Sequence, residues 1–171
     1  RKIVGSYTPR GVALTPPNTQ PSANTVTSHF IPWLNGEILF RECGSGTAPP
    51  LVLVPHILGS SASYEAPILA LSGNRRVIAI DPPGNGDSDF SRVLTIDEHA
   101  AAIDYVLDAL GLETVDLYGH NGGATIAAAL ATRRTKYVGR LILDGAMALP
   151  AEVRDALGPA YAPDIHLESD G

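Results

Sequence analysis

Short runs of apolar residues alternate along this chain with longer stretches of helical period. Leu51-Val52-Leu53-Val54, Val77 to Ile80, Val115 to Tyr118 and Leu141-Ile142-Leu143 are almost wholly apolar. That is the pattern of strands buried on both faces of a parallel sheet. Between them, Ile96, Ile103, Val106, Leu107 and Leu110 fall on one helical face. Thr95-Ile96-Asp97-Glu98 opens that helix as a capping box, and Gly111 ends it. Tyr64 to Leu71 predicts a shorter helix that must accommodate Pro67. Gly122 to Arg134 predicts an alanine-rich helix, smooth enough to lie close on a sheet. Upstream, Phe30 to Leu34 and Glu37 to Arg41 flank Asn35-Gly36. Asn-Gly supplies the positive φ angles of a tight turn, so this segment predicts a β-hairpin. Strands alternating with helices predict an α/β fold, with a mostly parallel sheet and helices on both faces.

The two ends break this rhythm. Residues 1–27 are polar and rich in Pro and Thr, a composition that does not offset its own ordering entropy, and they are expected to form an arm. Residues 28–148 form the α/β core. Residues 149–171 are expected to enter a cap or a C-terminal extension, with a short helix over 150–157 and loop beyond.

Composition narrows the function classes. The chain has 171 residues, 44% of them hydrophobic and 18% charged, which fits one globular domain. The net charge is −6, with six basic and three acidic groups in residues 1–80 and six and fifteen in residues 81–171. Neither half carries a basic stripe, so a nucleic-acid partner is not expected. No apolar run approaches the roughly 18–20 residues of a membrane span, so no membrane partner is expected. Cys43 is the single cysteine, which excludes an intrachain disulfide and a cysteine-based zinc cluster. The five histidines stand at spacings that do not suit a metal site. No metal and no cofactor is therefore expected, and the expected partner is a small-molecule substrate. The lone cysteine and the lack of a charged-then-apolar start favour a cytoplasmic setting. Nothing in the sequence sets the oligomeric state.

In a parallel α/β sheet the chemistry lies beyond the carboxyl ends of the strands. Three strand ends carry unusual residues. Val54 is followed by Pro55-His56-Ile57-Leu58-Gly59-Ser60-Ser61, Ile80 by Asp81-Pro82-Pro83-Gly84-Asn85-Gly86-Asp87-Ser88, and Tyr118 by Gly119-His120-Asn121-Gly122-Gly123.

These motifs, in this order, resemble the α/β-hydrolase superfamily. In that family the first loop is a His-Gly oxyanion loop, the second reads Asp-x-x-Gly-x-Gly-x-Ser, and the third is the nucleophile elbow G-x-S-x-G. The second motif is complete here. The first matches at His56, with Ile57 where the family has glycine. The elbow matches at Gly119 and Gly123, and Asn121 stands at the nucleophile position. The resemblance spans His29 to Ala148. It implies that Asn121 sits where a catalytic nucleophile belongs, that the backbone N–H groups of Leu58 and Gly122 form the oxyanion hole, and that His56, Ile57 and His120 line the site. Asp144 is a candidate triad acid, since some members place it after this strand. Asp81 and Ser88 are expected to fix their loop rather than to catalyse. The family's catalytic His lies far downstream of its elbow, and no residue here occupies that place, so the chain is read as the N-terminal portion of a hydrolase domain.

Asn suits the elbow's backbone but not its chemistry. It is among the few non-glycine residues that tolerate a left-handed conformation, yet a neutral amide is a very poor nucleophile. The resemblance implies a hydrolase of an ester, amide, epoxide or carbon–halogen bond. The alternative is a non-hydrolytic member that keeps the site for binding, which Asn121 favours. A dinucleotide-binding domain is a weaker rival, because neither Gly119-His120-Asn121-Gly122-Gly123 nor Gly84-Asn85-Gly86 completes G-x-G-x-x-G before a helix.

Overall fold

A computed structural model describes residues 25–89, 92–146 and 152. The polar segment up to residue 24 and the helix and loop expected over 150–171 lie outside the described residues, Glu152 apart.

Six strands form one sheet: β1 (Thr27–Trp33), β2 (Gly36–Cys43), β3 (Leu51–Val54), β4 (Val77–Ile80), β5 (Val115–His120) and β6 (Val138–Asp144). Their spatial order is β1-β2-β4-β3-β5-β6. β3 lies parallel to β4 and to β5, and β5 parallel to β6, while the β1–β2 hairpin joins antiparallel through β2 and β4. The four apolar runs are thus neighbours in one parallel sheet, as their composition implies.

The apolar runs serve two cores by alternation. Val52, Val54, Ile78, Ile80 and Leu117 pack with Ile103, Val106 and Leu107 of α2 (Ile96–Ala109) and with Ile126 and Leu130 of α3 (Gly122–Arg133). Leu53, Val77 and Ala79 face the other way, with Cys43, Tyr64 and Ile68 of α1 (Glu65–Leu71). Helices therefore cover both faces.

Local signals hold at most boundaries. Thr95 accepts from the Glu98 backbone N–H at 3.2 Å, and Glu98 accepts from the Thr95 backbone N–H at 2.9 Å. Pro67 falls in the first turn of α1, where its missing N–H would have had no intrahelical acceptor. A 3-10 turn over Ser61–Tyr64 precedes it, with Ser60 as its cap.

The hairpin departs from expectation by one residue. Trp33 pairs with Gly36, so the loop is Leu34-Asn35, with Leu34 at φ 54°. Gly36 pairs within β2, and Asp89 lies against it there: a Cβ would stand 2.7 Å from the Asp89 Cβ. A distant loop, not the turn itself, selects this glycine.

β6 is the last strand of the sheet among the described residues. Leu141, Ile142 and Leu143 on it are 39%, 55% and 42% exposed. Open apolar edges recruit other strands, and lysine on an edge opposes this. The 171-residue chain is expected to self-associate, and Ile142→Lys to shift it toward monomer in sedimentation velocity. A monomer with a sharp cooperative melt from the unaltered chain would contradict this.

Candidate active site

The strand β5 runs directly into α3 through one residue. Asn121 adopts φ 49° and ψ −116°, a pinched conformation outside the regions ordinary residues occupy. Its N–H donates to the Asp144 carbonyl at 2.7 Å, which ties the turn to the end of β6. The flanking glycines make the turn possible by close approach. A Cβ on Gly119 would stand 2.6 Å from the Ala124 Cα, and one on Gly123 would run into the Val54 and Pro55 carbonyl oxygens. Gly122 is equally confined, since a Cβ there would stand 2.7 Å from the Ile57 side chain. The Asn121 side chain makes no capping bond to α3, and the residue is exposed above the sheet.

The loop after β3 packs beside the elbow. Ile57 meets Gly122, while the His56 ring lies against Gly59 and 5.5 Å, edge-on, from the His120 ring. The Leu58 side chain is 92% exposed, and the residue has φ 71°. Its N–H donates to Asn85 Oδ1 at 2.6 Å, so the loop itself occupies this donor. Asn85 Nδ2 in turn donates to the Pro82 and Pro83 carbonyls, each at 3.2 Å.

Asp81 is wholly buried and organises the second loop. Its carboxylate accepts from the Ser61 N–H at 2.5 Å and from the Asp87 N–H at 3.0 Å. Arg41 Nη1 stands 3.6 Å from it. Ser88 donates its hydroxyl to the Asp81 carbonyl at 2.8 Å and accepts from the Leu39 N–H at 2.9 Å. Both residues therefore fasten loops to β2 and to the 3-10 turn, in keeping with a loop-fixing role.

Two tyrosines that the sequence did not single out complete the floor of the site. The Tyr64 hydroxyl lies 3.3 Å from His120 Nδ1. The Tyr118 hydroxyl donates to Asp144 Oδ2 at 2.7 Å. Asp144 thus meets a phenol, and among the described residues no hydrogen bond joins it to a histidine. Tyr118 stands three positions before Asn121, so its strand register was available in the sequence, but its partner was not.

Desolvation, with the hydrogen bond to Asp144 second, pushes the Tyr118 hydroxyl up to about 12. Its folded value is raised, so the stability this contributes is fully present below pH 10 and is lost as pH rises toward 12. The urea midpoint is expected to fall over that window, and Tyr118→Phe to remove this part of the fall. An unchanged pH profile in the variant would refute the coupling.

Among the described residues, Asn121 and Leu58 stand exposed at this site. The concavity lined by Asp104, Asp108 and Arg134 lies at the opposite end of the sheet, near the starts of β5 and β6. Arg134 serves a bracing role there, bonding Asp104, Asp108 and the Leu112 carbonyl.

Comparison with known proteins gives consistent results. A family model described as alpha/beta hydrolase fold matches residues 49–162. The chain is 35% identical over 127 residues to a 2-hydroxymuconate semialdehyde hydrolase of Pseudomonas sp. (strain CF600), covering 68% of this chain and 43% of that protein. It is 30% identical over 101 residues to an sn-1-specific diacylglycerol lipase of Xenopus laevis, covering 58% and 32%. Among solved structures, the thioesterase domain from the curacin biosynthetic pathway superposes with a TM-score of 0.68 at 27% identity, covering 78% of this chain and 52% of that one. A haloalkane dehalogenase from Bradyrhizobium elkani superposes with a TM-score of 0.70 at 21% identity, covering 81% and 51%, a likeness of fold. The chain spans about half the length of the curated relatives it matches, or less.

Proposed function

Because the chain belongs to the α/β-hydrolase family, we propose that it carries the nucleophile-elbow part of a hydrolase acting on a small organic substrate. The observation that carries this is the elbow itself. Residue 121 keeps φ 49° and ψ −116°, and the first N–H of α3 lies beside it. A fold that needed only a strand-to-helix turn would have no use for such a strained residue.

In this reading the Gly122 N–H, which has no intrahelical acceptor, is the first oxyanion donor. The Leu58 N–H is the second, and a substrate oxygen reaches it by displacing the Asn85 carbonyl. His56, Ile57 and His120 form the wall toward α1. Asp144, bonded to Tyr118, anchors the elbow through its carbonyl, and its carboxylate is the candidate acid. The bond cleaved is an ester, amide, epoxide or carbon–halogen bond. The names of the relatives add 2-hydroxy-6-oxo dienoic acids and glycerol esters to the substrates to be tried.

A second reading, a binding protein without turnover, is favoured by one residue: Asn121 offers an amide where a nucleophile is required. The two are separated by Asn121→Asp and a panel of epoxides and alkyl halides. A carboxylate oxygen attacking carbon expels halide, or opens the epoxide to an alkoxide that takes up a proton, and leaves an ester on residue 121 without a general base. Mass spectrometry is expected to find that adduct in Asn121→Asp and not in chains whose residue 121 is mapped as an amide on the same sample. Saturable binding of the same compounds with no adduct would instead carry the binding reading.

A further inference from the structure

Asn-Gly pairs occur three times in the chain, at Asn35-Gly36, Asn85-Gly86 and Asn121-Gly122. Such a pair can lose ammonia when the glycine nitrogen attacks the asparagine Cγ to close a five-membered imide. Folded chains ordinarily resist this, because ring closure needs Cβ and the next nitrogen almost eclipsed about the Cα–C bond. For an L-residue that eclipsing occurs near ψ −120°, far from the strand and helix wells. Asn121 is held at ψ −116°. The strained elbow therefore keeps Cβ of Asn121 beside the nitrogen of Gly122. Its Cγ amide is not spent on capping α3, Gly122 places no side chain in the way, and the residue is exposed to water.

We propose that Asn121 is a self-modifying residue, which the fold converts to aspartate through a cyclic imide with Gly122. The Gly122 nitrogen bonds to Cγ and gives up its proton as Nδ2 departs as ammonia. Water then adds at Cγ, the Cγ–N bond breaks, the nitrogen regains its proton, and a carboxylate remains. Attack of water at the main-chain carbonyl instead would insert a further backbone atom. It would also break the bonds that Ala124 and Thr125 donate to that carbonyl, at 2.9 and 3.4 Å. The α-linked aspartate is the product that preserves α3. Its significance rests on the hydrolase reading above: a carboxylate at the elbow is a nucleophile, whereas the encoded amide is not.

The other two pairs are internal references. Asn85 is 6% exposed, and its side chain makes three hydrogen bonds, so folding should protect it. Asn35 lies exposed in the hairpin loop, with no positive φ. The chain is incubated at neutral pH in heavy-oxygen water, in buffer and in concentrated urea, and each site is followed by peptide mass spectrometry. Folding is expected to accelerate conversion at Asn121 by roughly tenfold, which equals about 1.4 kcal/mol of geometry supplied in advance. It is expected to slow Asn85 and to leave Asn35 near its urea rate, with mainly α-linked product at residue 121. Asn121→Gln, whose ring would need an extra atom, is expected to stay unconverted. Conversion at Asn121 no faster in buffer than in urea overturns the proposal. That holds whether Asn85 is protected, meaning a folded elbow that does not act, or unprotected, meaning a chain that does not form the elbow. This measurement needs no substrate, so it can fail or succeed independently of the adduct experiment.

Discussion

With the amide intact at residue 121, the chain is expected to leave activated esters at their uncatalysed rate. Removing the nucleophile of a serine hydrolase costs a factor of about a million, and what survives comes from the oxyanion hole and binding. Here the Leu58 N–H is also engaged by Asn85, which weakens that remainder. Asn121→Ser is expected to stay at background too. A serine hydroxyl needs a base, and neither neighbouring imidazole is arranged as one: His120 Nδ1 faces the Tyr64 hydroxyl, and His56 Nδ1 is buried with no hydrogen-bond partner among the described residues. The check is p-nitrophenyl ester turnover, with residue 121 mapped on the same sample. Robust turnover by chains whose residue 121 is confirmed as an amide would move the active site elsewhere in the molecule.

The largest stability effect is expected at Asp81. Asp81→Ala removes a buried carboxylate that accepts from two backbone N–H groups and faces Arg41. The Ser61 and Asp87 N–H donors lose their acceptor, while Arg41 keeps Ser61 Oγ at 2.6 Å and Asp87 Oδ2 at 2.8 Å. A buried donor left without its acceptor costs about 1–3 kcal/mol, and two lose theirs here. Against a typical domain stability of about 5–15 kcal/mol, that consumes a large share. Asp81→Asn, which keeps one acceptor oxygen, is expected to lose less. Urea unfolding at constant m-value measures both. A loss below about 1 kcal/mol in Asp81→Ala, the size of an ordinary surface substitution, would show that the loop is held by its other bonds.

What the sequence determined by itself is what depends on short spacings. Apolar runs of strand length, the helical stripe from Ile96 to Leu110 and the Thr95–Glu98 box each report residues a few positions apart, and each element forms where they point. The elbow belongs with them. Gly119 and Gly123 flank a residue able to bear a left-handed backbone, and both glycines prove to be required by contacts with α3 and the end of β3. Tertiary structure decided what depends on distant partners. The hairpin turn falls at Leu34-Asn35, and Gly36 sits in β2 against Asp89, 53 positions away. The Leu58 N–H went to Asn85, 27 positions away, and Asp144 to Tyr118, 26 positions away. A local pattern fixes the backbone period and hence which way each side chain points. It carries no record of which loop arrives opposite, because that depends on how the sheet orders its strands, and only the packed whole sets that order.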